Sequence, residues 1–411
     1  MLRGCKHKIF IFQTGKRKMQ LAFLFAITIS VVFLVSERVQ NAAIFTTTEA
    51  GLFLEEAILS PEANTRSNIP KIKATPCEKI IGNFFLQHNN HTLQNSEEVA
   101  GEINRLRRHL GIDYPDCYET HLPLFLDLFR QRLHTVKRLF NLHIPKAGGT
   151  SFCDMAKNSA NWSVVTNSDN CWDREWGYPV WWAPGKAEQL AKNKKKRFSN
   201  GDCAIFEDNL PRFIMNENYL DYPLCMNYQL YSIVLRDPVT RSKSQENHFL
   251  KEHRRSRKNL IRKVKEWKEA GHDMDFRAVM QKHLSLARNN YVTWSFTAGL
   301  DNYSHVSSPL DATPQLLDLP NAKDTLAKFD FILEWSYDPI CEANVLKLMG
   351  FQERVMRHSL KSSGYDLIRL KEEEYETLNR LDLELFRYAR QLMEVDCQFF
   401  ARLVEEYEHE Q

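Results

Sequence analysis

The 411-residue sequence lacks several features that would indicate a protein class at once. It contains no internal repeat and no low-complexity tract, so nothing indicates a repeat array, and the absence of any Cys-x-x-Cys pair argues against zinc. The charges are nearly balanced, with 55 Lys and Arg against 52 Asp and Glu, so the net charge of +3 does not indicate a polyanionic partner. The apolar and charged fractions are those of a globular protein, and the length allows one large or two ordinary domains.

One uncharged apolar run stands out near the N-terminus. Leu21–Val35 follows a basic stretch, and with its neighbours it spans residues 19–36, which is long enough for a thin early-secretory membrane. Because basic flanks stay in the cytoplasm, we expect a cytoplasmic tail at 1–18, a single-pass type II signal anchor at 19–36 and a lumenal remainder. A cleaved signal peptide is the alternative, although Ser36–Gln40 is not a small-residue cleavage site.

The cysteines and the glycosylation triplets fit a lumenal location. Cys5 lies on the cytoplasmic side of the predicted anchor, and the other eight of the nine cysteines lie beyond it. In an oxidising lumen we expect some of these eight to be paired, but the sequence does not fix their connectivity. Asn90, Asn161 and Asn302 each begin an Asn-x-Ser/Thr acceptor triplet.

Residues 37–135 are predicted to form a lumenal stem. Pro61, Pro70 and Pro76 discourage long helices in its first part. From about Ser96 the apolar residues recur every three or four positions, which is typical of helices. These helices could pack on the domain that follows or space it from the membrane, and the sequence leaves both alternatives open.

The sequence around residue 146 has the pattern of a strand, a glycine turn and a helix. The apolar run Arg138–Ile144 predicts a buried strand, and Gly148–Gly149 allows a tight turn without a β-carbon. Thr150–Ser151 can cap the helix that follows, and the free amides of its first turn would form a pocket for phosphate or sulfate. Lys146 adds a full positive charge to this pocket.

The order of residues in this loop differs from that of the usual nucleoside-triphosphate loop. There the lysine follows the last glycine and precedes a Ser or Thr that binds magnesium, whereas Ala147 follows Lys146 here. A nucleotide kinase is therefore disfavoured. A glycine turn before an unrelated helix is the plainer alternative.

A second strand-to-helix junction lies about ninety residues later. Tyr231–Leu235 predicts a buried strand, Arg236 follows it directly, and Pro238 is placed where a helix would start. Ser244 then lies about two turns into that helix. We expect the Arg236 and Ser244 side chains to converge on one phosphate.

Further stretches complete the predicted domain. The run Cys203–Phe206 predicts a strand that places Glu207 at its carboxyl end, where ligands bind in open α/β sheets, although a plain surface carboxylate is the alternative. Phe329–Trp335 predicts a last strand, and Lys371–Glu408 predicts one long amphipathic helix. The basic stretch Lys251–Lys268 is either a solvated face or a surface for a polyanionic acceptor, and we expect no nucleic acid in a lumenal protein.

Both junctions resemble motifs of one enzyme family. Pro145–Ser151 resembles the 5′-phosphosulfate loop of sulfotransferases that use 3′-phosphoadenosine 5′-phosphosulfate (PAPS), and Leu235–Ser244 is similar to their 3′-phosphate motif. The likeness is to Golgi-type carbohydrate enzymes of the heparan and chondroitin O-sulfotransferase kind, and it covers roughly residues 136–403. It implies an α/β catalytic domain at 136–411, with a parallel sheet flanked by helices and a sulfotransferase P-loop.

The resemblance also implies roles for individual residues. Its cofactor-binding residues would be Lys146, Ala147, Gly148, Gly149, Thr150, Ser151, Arg236 and Ser244. Lys146 would neutralise the leaving oxygen and Glu207 would be the base, with no metal required, while His143 or His248 could replace Glu207. The implied reaction moves a sulfuryl group from PAPS to a glycan hydroxyl. A catalytically inactive glycan-binding type II glycoprotein is the other alternative, and the oligomeric state is not predicted.

Overall fold

The computed structural model describes residues 76–89, 96–159, 161–164, 171, 203, 212–217, 219–220, 224–252, 290–297, 318–335, 337–351 and 371–410. These residues all belong to one compact unit, Ala74–Gln411. None of the helices within these ranges is long and apolar enough to cross a membrane. The predicted anchor at 19–36, most of the predicted stem before residue 96, Glu207 and most of the basic stretch 251–268 lie outside the described residues.

A five-stranded parallel sheet forms the centre of the described part of the chain. Its strands are β1 (Arg138–Leu142), β2 (Ser163–Val164), β3 (Arg212–Asn216), β4 (Leu230–Leu235) and β5 (Phe331–Glu334), and they lie in the order β2-β3-β1-β4-β5. Every residue of β1 and β4 is buried, as expected for central strands of a parallel sheet. The predicted α/β class with a parallel sheet and flanking helices is therefore confirmed.

Helices account for most of the remaining described residues. They are α1 (Pro76–Asn89), α2 (Ser96–Asp113), α3 (Pro115–Thr135), α4 (Gly149–Asn158), α5 (Pro238–Glu252), α6 (Tyr291–Thr297), α7 (Leu319–Lys328), α8 (Pro339–Leu348), α9 (Glu372–Leu378) and α10 (Arg380–Glu410). The prediction of one uninterrupted helix from Lys371 to Glu408 is wrong, because a turn at Asn379 separates α9 from α10. The Asn379 amide donates to the Tyr375 carbonyl at 2.8 Å, and its Oδ1 accepts from Ser242 Oγ on α5 at 3.3 Å.

The helices α2 and α3 pack against the rest of the fold. Asn104 Nδ2 and Arg132 Nε donate to Oδ1 of Asp330, beside the start of β5, at 3.0 and 2.7 Å. Arg108 Nη2 donates to Asp396 Oδ2 on α10 at 2.6 Å. Of the two alternatives for these helices, packing on the domain is the one observed, so the boundary expected at residue 136 falls within the compact unit.

Aromatic side chains join the helices to the sheet. Phe129 of α3 lies edge-on to Phe331 of β5 and to Phe399 of α10, with ring centroids 5.8 and 5.4 Å apart. Phe152 of α4 lies 5.7 Å from Phe213 of β3. Rings in such contact contribute about 0.5–1.5 kcal/mol per pair beyond their buried area. The Phe152 contact fixes α4, which follows the glycine loop, against the sheet.

All eight cysteines beyond residue 76 form disulfides, which confirms the expected pairing. The pairs are Cys77–Cys117, Cys153–Cys171, Cys203–Cys225 and Cys341–Cys397. The second pair ties α4 to a segment beside the sheet, because the backbone carbonyl of Cys171 accepts from Met215 N of β3 at 3.2 Å.

Candidate active site

The loop from β1 to α4 lies at the carboxyl edge of the sheet. The strand ends at Leu142 and the helix begins at Gly149, with Gly148 at its N-cap in a left-handed conformation (φ 102°). Lys146, which is partly exposed, also has a positive φ of 68°. A positive φ is uncommon outside glycine, so the loop holds its lysine in a defined and sparsely populated backbone geometry.

Both glycines of the loop are required by close packing. A β-carbon on Gly148 would lie 2.2 Å from Nε1 of Trp335, and one on Gly149 would lie 1.8 Å from Nε2 of His143. The sequence analysis explained these glycines by the tight turn of the chain. The structure adds a second reason, which is the close approach of the Trp335 and His143 rings. No other residue type fits either position without movement of a ring or of the loop.

The expectation that Thr150 and Ser151 cap the helix is wrong. No side chain makes the cap hydrogen bond of α4, and both residues lie inside its first turn. Ser151 is buried and Thr150 is partly exposed. The N-cap residue is a glycine and supplies no side-chain cap, and helix starts of this kind can bind phosphate and sulfate groups through their backbone amides.

Arg236 joins the second motif to the first. It follows the last residue of β4, and β4 pairs directly with β1, with Ile233 opposite Leu142. The Arg236 guanidinium donates from Nη1 to the backbone carbonyl of Lys146 at 3.2 Å. Burial lowers the pKa of Arg236 from its ordinary value, and Asp237 opposes that effect. The structure thus brings Lys146 and Arg236, predicted from separate stretches, to one place.

Ser244 lies partly exposed on α5, which begins after Arg236 as predicted. Asp237 fixes the start of this helix, because its Oδ1 accepts from the backbone nitrogen of Thr240 at 2.8 Å. Asp237 is thus an N-cap between the predicted phosphate-binding arginine and its helix. The contacts that the structure gives for Arg236 do not include Ser244, so their convergence on one phosphate stays a prediction.

Arg241, also within the second motif, is fully buried, which indicates a structural role. Its Nη2 lies 3.3 Å from Ser242 Oγ and 3.9 Å from Asp382 Oδ2. Asp382 in turn accepts from the backbone nitrogens of Val292 and Thr293 at 3.0 and 2.8 Å. Burial lowers the pKa of Arg241, while the Asp382 charge opposes this shift. Arg241 therefore links α5 to α6 and α10.

A buried imidazole and carboxylate lie next to the loop. His143 follows β1 and Glu217 follows β3, and His143 Nδ1 lies 2.9 Å from Glu217 Oε1. The backbone nitrogen of His143 donates to Asn216 O at 2.8 Å, and Tyr291 Oη donates to Glu217 O at 3.2 Å. Sequence reasoning named His143 only as a substitute base and missed Glu217. Recognising β3 as a strand would have placed Glu217 at the carboxyl edge.

Glu207, the predicted base, lies outside the described residues. Cys203, the one described residue of the strand predicted before it, is not part of the sheet. The role of Glu207 therefore stays a prediction. Within the described part of the chain, His143 packs against Gly149 of the loop and has Glu217 as its ionisable neighbour.

Comparisons with family models, with curated proteins and with solved structures found no match to this chain. The Arg236 guanidinium, the loop that carries Lys146 and a helix start with a glycine N-cap meet at the carboxyl edge of a parallel sheet, where α/β proteins bind ligands. This arrangement suits an anionic ligand with phosphate-like groups.

Proposed function

We propose that the chain is a PAPS-dependent sulfotransferase whose acceptor is a hydroxyl group of a glycan. The observation that carries the proposal is the meeting of two motifs on neighbouring strands, with Arg236 Nη1 3.2 Å from the carbonyl of Lys146. PAPS carries a phosphosulfate and a separate 3′-phosphate. A loop with a lysine, next to an arginine that begins a second helix junction, supplies cationic groups for both.

The reaction needs positive charge on one side of the sulfur and a base on the other. The acceptor oxygen loses a proton and forms a new bond to sulfur, while the bond from sulfur to the phosphate oxygen breaks and adenosine 3′,5′-bisphosphate leaves. In this proposal Lys146 and the amides of α4 stabilise the charge that develops on the departing oxygen. Glu207 takes the proton, and His143 oriented by Glu217 is the alternative base.

The proposed location is the Golgi membrane, with a type II anchor at 19–36 and a lumenal catalytic domain. Four disulfides among the described residues support an oxidising compartment. Asn161 is exposed, as a glycosylation acceptor must be, while Asn90 and Asn302 lie outside the described residues. We propose a glycan acceptor, with the basic stretch 251–268 as a surface for a polyanionic one.

Transfer of radiolabelled sulfate from PAPS tests the proposal directly. The full chain, purified in detergent, is assayed on desulfated glycosaminoglycans and on galactosides. We expect Lys146→Ala to abolish transfer, because it removes the lysine charge from the loop. Lys157→Ala is the matched control, since Lys157 is an exposed lysine on α4, the helix that follows the loop. Transfer by Lys146→Ala within tenfold of the parent chain would contradict the proposed role.

The same assay separates the other functions. Phosphate transfer from magnesium ATP would identify a kinase, and glycan binding without transfer would support an inactive binding protein. For the base, Glu207→Gln and His143→Gln are compared. The variant that loses the true base should show turnover lower by about a hundredfold with nucleotide affinity preserved.

A further inference from the structure

The loop from β1 to α4 is contacted from both neighbouring strands. On the side of β4, the Arg236 guanidinium donates to the backbone carbonyl of Lys146 at 3.2 Å. On the side of β3, the His143 imidazole packs against Gly149, since a β-carbon on that glycine would lie 1.8 Å from Nε2. The first contact belongs to the proposed nucleotide site, and the second contact meets the first residue of α4.

The position of the His143 ring is set by Glu217. Nδ1 of the ring lies 2.9 Å from Oε1 of Glu217, while Nε2 faces Gly149. The two side chains are only 6% and 4% exposed, and His143 is the one basic side chain within ion-pair distance of Glu217 among the described residues. A rotation of the ring away from Gly149 would leave a buried carboxylate without this partner, which is costly.

Glu217 and His143 are themselves fixed by their backbones. The backbone nitrogen of His143 donates to the carbonyl of Asn216, the last residue of β3, at 2.8 Å. The hydroxyl of Tyr291, on α6, donates to the backbone carbonyl of Glu217 at 3.2 Å. Burial raises the pKa of Tyr291, and the Glu217 charge adds to the rise, so the phenol stays protonated and remains a donor. The carboxylate is thus attached to both β3 and α6.

We propose, on the basis of the sulfotransferase function, that Glu217 is a positioning residue that acts through His143 on the start of α4. The carboxylate holds the imidazole, and the imidazole holds Gly149. The backbone amides of the first turn then keep the directions that the phosphosulfate of PAPS requires. Because hydrogen bonds weaken steeply when the donor points away from the acceptor, a small shift of this turn weakens binding.

This arrangement favours positioning over proton transfer for His143. A general base must reach the proton that it removes. Here one ring nitrogen faces Glu217 and the other faces the backbone of Gly149. His143 therefore acts on the loop, and the loop acts on the nucleotide.

Calorimetric titration of the full chain with adenosine 3′,5′-bisphosphate tests the role of Glu217. Glu217→Leu removes the carboxylate and should weaken binding about tenfold or more, which is the loss expected for one charge-assisted hydrogen bond. Glu217→Gln keeps an oxygen that can accept from Nδ1, so its affinity should stay within about threefold of that of the parent chain. Equal affinity in Glu217→Leu and the parent chain would overturn the proposal.

Asp330→Asn separates positioning from fold stability. Asp330 is buried just before β5, at the opposite edge of the sheet from the loop, and it accepts from Arg132 Nε at 2.7 Å. This variant should lower the free energy of unfolding in urea and leave the affinity for the bisphosphate unchanged. If Glu217→Leu and Asp330→Asn weakened binding in proportion to their loss of stability, Glu217 would be a structural residue and the proposal would be refuted.

Sulfate transfer by Glu217→Gln separates positioning from proton transfer. A fall in turnover of about a hundredfold with unchanged nucleotide affinity would identify Glu217 as the base and overturn the positioning role.

A double variant covers the case in which Glu217→Leu does not fold. His143→Ala combined with Gly149→Ala removes the ring that the new β-carbon would meet. It should therefore bind the bisphosphate at least about tenfold more tightly than Gly149→Ala alone, because substitutions in contact are not additive. Equal affinity of these two variants would show that the ring does not act on the helix start.

The parent chain distinguishes failure of this role from failure of the proposed function. No binding of the bisphosphate by the parent chain would refute the sulfotransferase function together with the role of Glu217. Binding by the parent chain that Glu217→Leu leaves unchanged would refute the role of Glu217 alone.

Discussion

Replacement of Arg236 by alanine tests the meeting of the two motifs most directly. The change removes the guanidinium that donates to the Lys146 carbonyl at 3.2 Å, and with it the charge that we assign to the 3′-phosphate of PAPS. Arg236→Lys is the companion variant, because it keeps the charge but loses the planar fork of donors. We expect both variants to weaken nucleotide binding, and alanine to weaken it more.

The expected size of the effect follows from the contacts. A hydrogen bond to a charged group contributes roughly 1.5–3 kcal/mol, which corresponds to about a tenfold to 150-fold loss of affinity. Fold stability should change far less. Burial lowers the pKa of Arg236, so the ligand-free site already disfavours the charge of its guanidinium. Removing the guanidinium should therefore lower the free energy of unfolding by about 1 kcal/mol or less.

Titration calorimetry with adenosine 3′,5′-bisphosphate measures the first quantity, and urea unfolding measures the second. Arg402→Ala is the control, because Arg402 is an exposed arginine near the end of α10 with a side chain 65% exposed. Unchanged affinity in Arg236→Ala would refute the placement of the 3′-phosphate at this junction. A loss of folding together with affinity would instead indicate a structural arginine.

Two further predictions concern the loop and its helix. Gly149→Ala should abolish nucleotide binding and lower the free energy of unfolding by roughly 1–3 kcal/mol, because its β-carbon would overlap the His143 ring. Gly82→Ala, where nothing lies within 4 Å, should instead stabilise the chain by up to about 1 kcal/mol, and urea unfolding compares the two. Replacing both Cys153 and Cys171 by serine opens a loop of sequence separation 18 and should lower unfolding free energy by about 3 kcal/mol, and a loss below 1 kcal/mol would contradict this.

The central strands could be predicted because their sequences carry the pattern of burial. Tyr231–Leu235 is apolar except for Ser232, and the observed β4 differs from it by only one residue at its start. The strand β3 could not be recognised in the same way, since Arg212–Asn216 begins and ends with polar residues. Missing β3 also hid Glu217, because only its position after a strand marks it as a residue of the carboxyl edge.

The packing of α2 depended on partners that no local pattern contains. Arg107 and Arg108 look like ordinary polar positions of a helix, yet both are buried against Asp396, almost three hundred residues away. Such pairs are fixed only when the chain brings distant segments together. The same limit applies to the disulfides. The sequence shows an even number of cysteines beyond the predicted anchor, but it does not show which of them pair.

The position of α5 rests on a pair of crossed helix caps. Asn290 Oδ1 accepts from the backbone nitrogens of Leu381 and Asp382 at 2.8 and 3.2 Å, at the start of α10. Asp382, near the start of α10, in turn caps the start of α6, because its carboxylate accepts from Thr293 N at 2.8 Å. Because Arg241 reaches toward the same carboxylate, α5 is held where two helix starts meet. The two arginines of the second motif thus have different roles. Arg236 contacts the loop, and Arg241 fixes the helix that carries Ser244.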